Sequence, residues 1–387
     1  MSAALLGSLQ PATIPSEDEA LRSGIRAFLT ARTAGMPAER RARSWSGFDR
    51  DFSKALGAEG FLGVTFPETY GGQARSPFAR YVITEELLNI GAPVAAHWIG
   101  ERQSGPLLLK YGTEDQKRHF LPPICRGESV FCIGMSEPNA GSDLASVGTR
   151  AMPQGDGWLL NGQKIWTTHG HEADYMIALV RTSGGPADRQ KGLSQLLVDL
   201  SLPGVTCRPI TDLTGDTHFS EVFFENVELG PDALVGTEGE GWSQVMSELA
   251  FERSGSERFY STMVLFEEWL GWIRSLDHVG PQSEALAGSF VSRLASIRAL
   301  SLSITEKLCA GESPVIEAAL VKEMGTTLEQ DIVRAIADDV AARPHLPLPA
   351  SLIGTLHFST LAAPSYSLRG GTREILLGMI ARGLGLR

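Results

Sequence analysis

Cysteine is scarce, with four residues (Cys125, Cys132, Cys207 and Cys309) among 387. None forms a CxxC pair or joins a histidine cluster, which excludes a zinc site and a disulfide framework. A reducing, cytoplasmic setting is expected. Cationic surplus is also missing. The net charge of −11 argues against a general nucleic-acid or membrane-surface binder, although a small site can still be locally positive. No apolar run approaches the length that crosses a bilayer. The opening "MSAALLGSLQPATIPSED" has a short apolar patch and no basic segment, so no signal peptide is expected. GxGxxG and GxxxxGK[ST] are both absent, and with them the phosphate loops of the Rossmann and P-loop folds. There is no internal repeat and no low-complexity tract.

What is present divides into three zones. The length exceeds what one core supports, so two or three domains are expected. Residues 1–130 read helical: "PSEDEALRSGIRAFLTARTAG" has a capping Ser, acids in its first turn, and Leu21, Ile25 and Phe28 at helical spacing. Residues 131–235 read as strands. "WLLNGQKIWTT" turns at Asn161-Gly162, and "YMIALVRT", "GLSQLLVDL" and "SEVFFENVEL" are apolar runs of strand length. With no long helix between them, a small barrel or sandwich is expected. Residues 236–387 return to helix, with one pattern running from Gly241 to Leu276, two more long ones, and a last one closing the chain. These predict a four-helix bundle.

Two stretches could carry chemistry. "FCIGMSEPNAGSDLASVGT", residues 131–149, follows a strand-like start with small and polar residues, and Gly141 and Ser142 allow close approach of a ligand. By spacing alone it is a polar loop at the end of a sheet. "ELAFERSGSERF", residues 248–259, sets three glutamates and two arginines on one helical pattern. By itself such a pair as Glu252-Arg253 is usually a solvated one.

Read whole, "MSEPNAGSDLASV" and "WLLNGQKIWTTHG" resemble the flavin-binding signature of the acyl-CoA dehydrogenase family. "RGGTREILLGMIARGLGL" at the end, "GFLGVTFPETYGG" at the front and "FFENVEL" extend the resemblance over nearly the whole chain. It implies an α+β fold with an N-terminal helical domain, a middle β-barrel or sandwich domain and a C-terminal four-helix bundle. It also implies FAD, and the α,β-dehydrogenation of an acyl-CoA thioester to the 2-enoyl-CoA. A base takes the Cα proton, the Cβ hydride goes to flavin N5, and the electrons pass to an electron-transfer flavoprotein. By resemblance, Met135 and Ser136 lie against the flavin, and Trp166 and Thr168 flank its ring. Gly371, Thr372 and Glu374 also touch the cofactor, and Ser142 and Arg253 meet the substrate. Without the resemblance, Trp166 would read as a strand-end core aromatic.

The resemblance also decides where to look for the base. Most members carry a glutamate just before the C-terminal Gly-Thr, where this chain has Gly370. A minority, the isovaleryl and long-chain dehydrogenases among them, carry it on the first bundle helix, directly before an arginine. Glu252 stands there. Glu248 lies one turn away on a similar face, and Glu257 is expected to face elsewhere. Two family elements that hold the ADP half of FAD, Arg-x-x-Phe-Gly and Gln-x-x-Gly-Gly, are missing. That pattern resembles the bacterial steroid side-chain dehydrogenases, in which two different subunits form an α2β2 tetramer. The rivals are an ordinary homotetramer, a flavin oxidase or monooxygenase, and a silent scaffold on the same fold. His169, His171 and His218 read as surface or supporting residues.

Overall fold

The computed structural model describes residues 9–386, apart from the side chains of Pro186 and of residues 248–252. By contacts the chain groups into two compact units. One comprises Met1–Gly47, Arg75–Val94 and Leu249–Arg387, and the other Phe48–Ala74 and Ala95–Glu248.

Ahead of the sheet run α1 (Ser16–Glu19), α2 (Leu21–Arg32), α3 (Ala38–Arg43), α4 (Arg50–Ala58), α5 (Pro77–Ile90), α6 (Ala95–Ile99), α7 (Gly105–Tyr111) and α8 (Glu114–Cys125). A π-helical turn, Gly100–Ser104, joins α6 to α7. Local chemistry sets the helix ends. Asp49 and Ser76 cap α4 and α5, and α8 opens with a reciprocal box between Thr113 and Gln116. Left-handed Gly91 stops α5.

The sheet unit is built on β1 (Phe131–Gly134), β2 (Arg150–Gln154), β3 (Gly157–Thr168), β4 (Tyr175–Arg181), β5 (Leu193–Asp199), β6 (Val205–Ile210), β7 (Phe219–Leu229) and β8 (Leu234–Val235). Among the described residues the order is β6-β7-β3-β2-β4-β5-β8, with β1 parallel to β4. β2 touches β4 only at Arg150–Arg181, so the sheet is nearly two half-sheets. Both halves feed one core: Ala151, Leu160, Val222 and Phe224 come from one, and Met176, Ala178, Val180, Leu196 and Val198 from the other. The opposite face of β4 and β5 packs Ile177 and Leu197 on Leu107, Leu108, Leu121 and Ile124. β4 and β5 are therefore buried on both faces, whereas β6 alternates between half-buried and exposed.

In the other unit α9 (Gly241–Arg253) is followed by α10 (Met263–Arg274), α11 (Pro281–Cys309), α12 (Val315–Ala341), α13 (Ala350–Tyr366) and α14 (Arg373–Gly383). The division between the units falls within α9. Phe266, Trp269, Phe290, Ile297, Leu328, Ile332 and Leu352 lie in one core.

Two helical expectations change. The pattern from Gly241 to Leu276 is two helices, because Gly255 is extended and a 3-10 turn, Ser256–Arg258, follows it. The Ser301 hydroxyl takes the Ser254 carbonyl, an acceptor that a continuing helix would use. α13 went unread, because two of its inward residues are hydroxylic (Thr355, Ser359) while Ile353 faces out. That breaks the apolar period. No helix among the described residues is long and apolar enough to cross a membrane.

Candidate functional site

On the sheet unit, β1 ends at Gly134, where an added Cβ would lie 2.4 Å from the Met176 sulfur. Met135 and Ser136 follow at once. The N–H of Ile165, on β3, donates to the Ser136 carbonyl (2.9 Å). The fully buried Lys164 ammonium donates to the carbonyls of Leu179 (2.6 Å) and Met135 (3.2 Å) and to the Glu137 carboxylate (2.7 Å). Glu137 also accepts from the N–H groups of Gly148 (2.6 Å) and Thr149 (2.9 Å). Burial pushes the Lys164 ammonium down to about 8, against the pull of Glu137. Burial alone would raise the Glu137 carboxyl, but the Lys164 charge and its hydrogen bonds keep it below the ordinary range.

A second buried cation holds the rest of this loop. Arg181 donates to the carbonyls of Lys191 (2.8 Å), Arg189 (3.0 Å), Ala145 (3.1 Å) and Val147 (3.2 Å). Ser142 lies exposed at the loop's outer end, beside an Asp143–Arg189 pair with contacts of 2.6 and 2.8 Å.

Trp166 sits on a bulge. The β3–β7 register slips between Lys164 and Thr167, and Trp166 takes a left-handed φ of 59°. An aromatic side chain is strained there, and the bulge re-aims it. Its ring meets Phe219 edge-on at 5.9 Å and is 56% exposed. Thr168 is half-buried two residues on, and His169 is buried against the Phe48 ring. His171 bonds Ser220 and His218 pairs with Asp212.

In the other unit the expected residues gather round one turn. Gly370 and Gly371 have φ of 68° and 97°, values that glycine adopts without strain. Arg253 Nε donates to the Gly370 carbonyl (3.0 Å), and Lys322 Nζ to that of Gly371 (3.0 Å). Both cations are buried. Arg369, just before the turn, lies over the rings of Trp45 (4.3 Å) and Tyr366 (4.8 Å) and pairs with fully buried Glu329 (3.0 Å). Thr372 precedes α14, and Glu374 lies exposed in its first turn. The backbone N–H of Glu374, then the Thr372 hydroxyl, hold that carboxyl below the ordinary range. Glu257 stands outside α9, buried, with its carboxylate folded over Gly255, where an added Cβ would lie 2.0 Å from an oxygen. Glu252 is on α9, and its side chain, like that of Glu248, falls outside the described residues.

Lys164, Glu137, Arg181, Lys322, Arg369 and Glu329 were not singled out from sequence. Lys164 alone left a signal, since it shares the inward strand face of Leu160. Among the described residues there is no cluster suited to a metal ion.

The family model for the acyl-CoA dehydrogenase N-terminal domain matches residues 15–128, and that for the middle domain residues 132–227. The acyl-CoA dehydrogenase IpdE1 of Mycobacterium tuberculosis is 33% identical over 380 residues, spanning 95% of this chain and 97% of its own. Among solved structures, the Tcur3481-Tcur3483 steroid ACAD aligns with a TM-score of 0.84 at 29% identity, over 96% of this chain and 98% of its own. The ChsE4-ChsE5 complex from Mycobacterium tuberculosis aligns with a TM-score of 0.83 at 28% identity, over 97% of this chain and 99% of its own.

Proposed function

The chain belongs to the acyl-CoA dehydrogenase family, and on that premise we propose that Glu252 is its base and FAD its cofactor. Like its relatives, it is an oxidoreductase acting on a CH–CH group. The proposed reaction removes a proton from Cα and a hydride from Cβ of an acyl-CoA thioester.

One observation carries the choice of base, the 3.0 Å bond from Arg253 Nε to the Gly370 carbonyl. It joins the residue after Glu252 to the turn where most members keep their glutamate. That turn has a left-handed glycine here (φ 68°) and no side chain. The chain that lost its acid at the turn keeps one a single residue from the turn's own anchor. Glu252 takes the Cα proton, and exclusion of water strengthens it as a base.

The sheet unit suits a flavin ring. Trp166 offers a broad exposed aromatic face on a bulge, and Ser136 and Thr168 offer half-buried hydroxyls. Met135, Ser136, Trp166 and Thr168 would hold the ring, and Gly371, Thr372 and Glu374 are further cofactor contacts in this reading. When bound, FAD supplies the two-electron acceptor that no side chain here provides. Ser142, exposed at the loop's end, meets the coenzyme A arm. Arg253 keeps the Gly370 turn in place and contributes to substrate binding through it.

The ADP half of FAD needs cations or amides that this chain's motifs lack. A second, related subunit supplies them in an α2β2 assembly. The three zones of the sequence are the family's three domains, the enzyme works in the cytoplasm, and an electron-transfer flavoprotein takes the electrons.

Glu252→Gln tests the base. Turnover with a panel of acyl-CoAs and an artificial acceptor is expected to fall roughly a thousandfold, with flavin content and folding unchanged. Turnover near the wild-type rate would refute the assignment.

A further inference from the structure

Lys164 is an expensive residue for its position. It has no exposed surface, and its strand face otherwise carries Leu160 and packs on Val222 and Phe224. An ion pair buried in apolar company contributes little to stability, and a well-packed apolar replacement for both partners is often no worse. Packing therefore does not account for a lysine here.

What distinguishes it from an apolar residue is what its three N–H groups reach. All three are used, on the Met135 carbonyl, the Leu179 carbonyl and Glu137. Through the Glu137 carboxylate the same ammonium reaches the Gly148 and Thr149 amides at the loop's far end. Thr149 closes the circuit by donating from its hydroxyl to the Gln163 carbonyl, next to Lys164 (3.1 Å). Gly162 makes room for this, since an added Cβ there would lie 2.7 Å from Thr149 Cα. One buried charge thus fastens both ends of the 135–149 loop to the strand that carries Trp166.

We propose that Lys164, together with Glu137, is a positioning residue that sets the backbone of Met135 and Ser136 for flavin binding. This rests on the reading that this loop and Trp166 carry the flavin. The ammonium form is the one that grips. Its low pKa, about 8, means that the grip loosens as pH rises through that value. The charged group acting on it is Glu137, from the loop, and Arg181 on β4 feels the Glu137 charge in turn.

Lys164→Met alone strands the Glu137 carboxylate, so the informative variant is the double one, Lys164→Met with Glu137→Gln. FAD is titrated into flavin-stripped protein assembled with its related partner subunit, with flavin fluorescence read from neutral to alkaline pH and thermal unfolding measured alongside. The double variant is expected to unfold at the wild-type temperature yet bind FAD at least about tenfold more weakly at neutral pH. Wild-type affinity is expected to fall through about pH 8, and the variant's to stay flat. A double variant with wild-type affinity and an unchanged pH profile would overturn the role of Lys164 and leave the flavin reading standing. A wild-type protein that takes up no FAD even when assembled with its related partner subunit would overturn the flavin reading, and the proposal with it.

Discussion

Trp166 keeps a conformation that a folding requirement alone does not explain. A bulky residue at φ 59° costs on the order of 1–3 kcal/mol, and this one leaves more than half its surface exposed. Strain held at an exposed aromatic is what a cofactor platform would require. Trp166→Gly removes both the strain and the platform. The flavin-free variant is expected to be no less stable than wild type, because relief of strain offsets the entropy that glycine adds to the unfolded chain. Its flavin affinity is expected to fall by an order of magnitude or more. Denaturant unfolding of the stripped proteins and FAD titration check the two halves, and a Gly variant that binds FAD normally would remove Trp166 from the site.

The turn before α14 is an element held by buried charge. Arg369 is sandwiched between two rings and paired with Glu329, whose other oxygen accepts from the Ser261 N–H (2.8 Å). Glu329→Gln leaves the guanidinium buried without its countercharge, at a cost of about 3–5 kcal/mol. Denaturant unfolding should show that loss, and a change within about 0.5 kcal/mol would mean that solvent reaches the pair. These elements also show what the sequence discloses. The helix–sheet–helix order and the loop after β1 were legible because they rest on periodicity and glycine chemistry, whereas the turn expected at Asn161-Gly162 is not there: β3 runs unbroken from Gly157 to Thr168, and Gly162 instead lets the strand pass close to Thr149. The buried cations were not. Lys164 and Arg181 bond mostly to backbone carbonyls and Lys322 bonds that of Gly371, and a carbonyl acceptor leaves no trace in residue identity. α13 was missed for a related reason, since Thr355 and Ser359 face the core where leucines would have marked it.

At the scale of the molecule, the charges are divided unevenly between the two tasks. The net charge is −11, yet the identified cations near the expected site are largely committed to the protein's own carbonyls and carboxylates. The proposed second subunit would bring others for the pyrophosphate of FAD. The chain purified alone is expected to retain well under one FAD per protomer, and co-expression with its related partner to restore it. Absorbance of flavin against protein, read with the assembly mass, decides this. Full occupancy in a homotetramer would dispense with the partner.

The claim on which the chemistry depends is that Glu252 takes the Cα proton. Its most direct test is exchange of that proton with deuterated solvent, followed by NMR on an acyl-CoA that binds but cannot lose a hydride. This isolates proton removal from electron transfer. Wild type and Glu257→Gln are expected to exchange, and Glu252→Gln, with its flavin intact, to be silent. Exchange that persists in Glu252→Gln and disappears in Glu257→Gln would place the base on Glu257 and contradict the assignment.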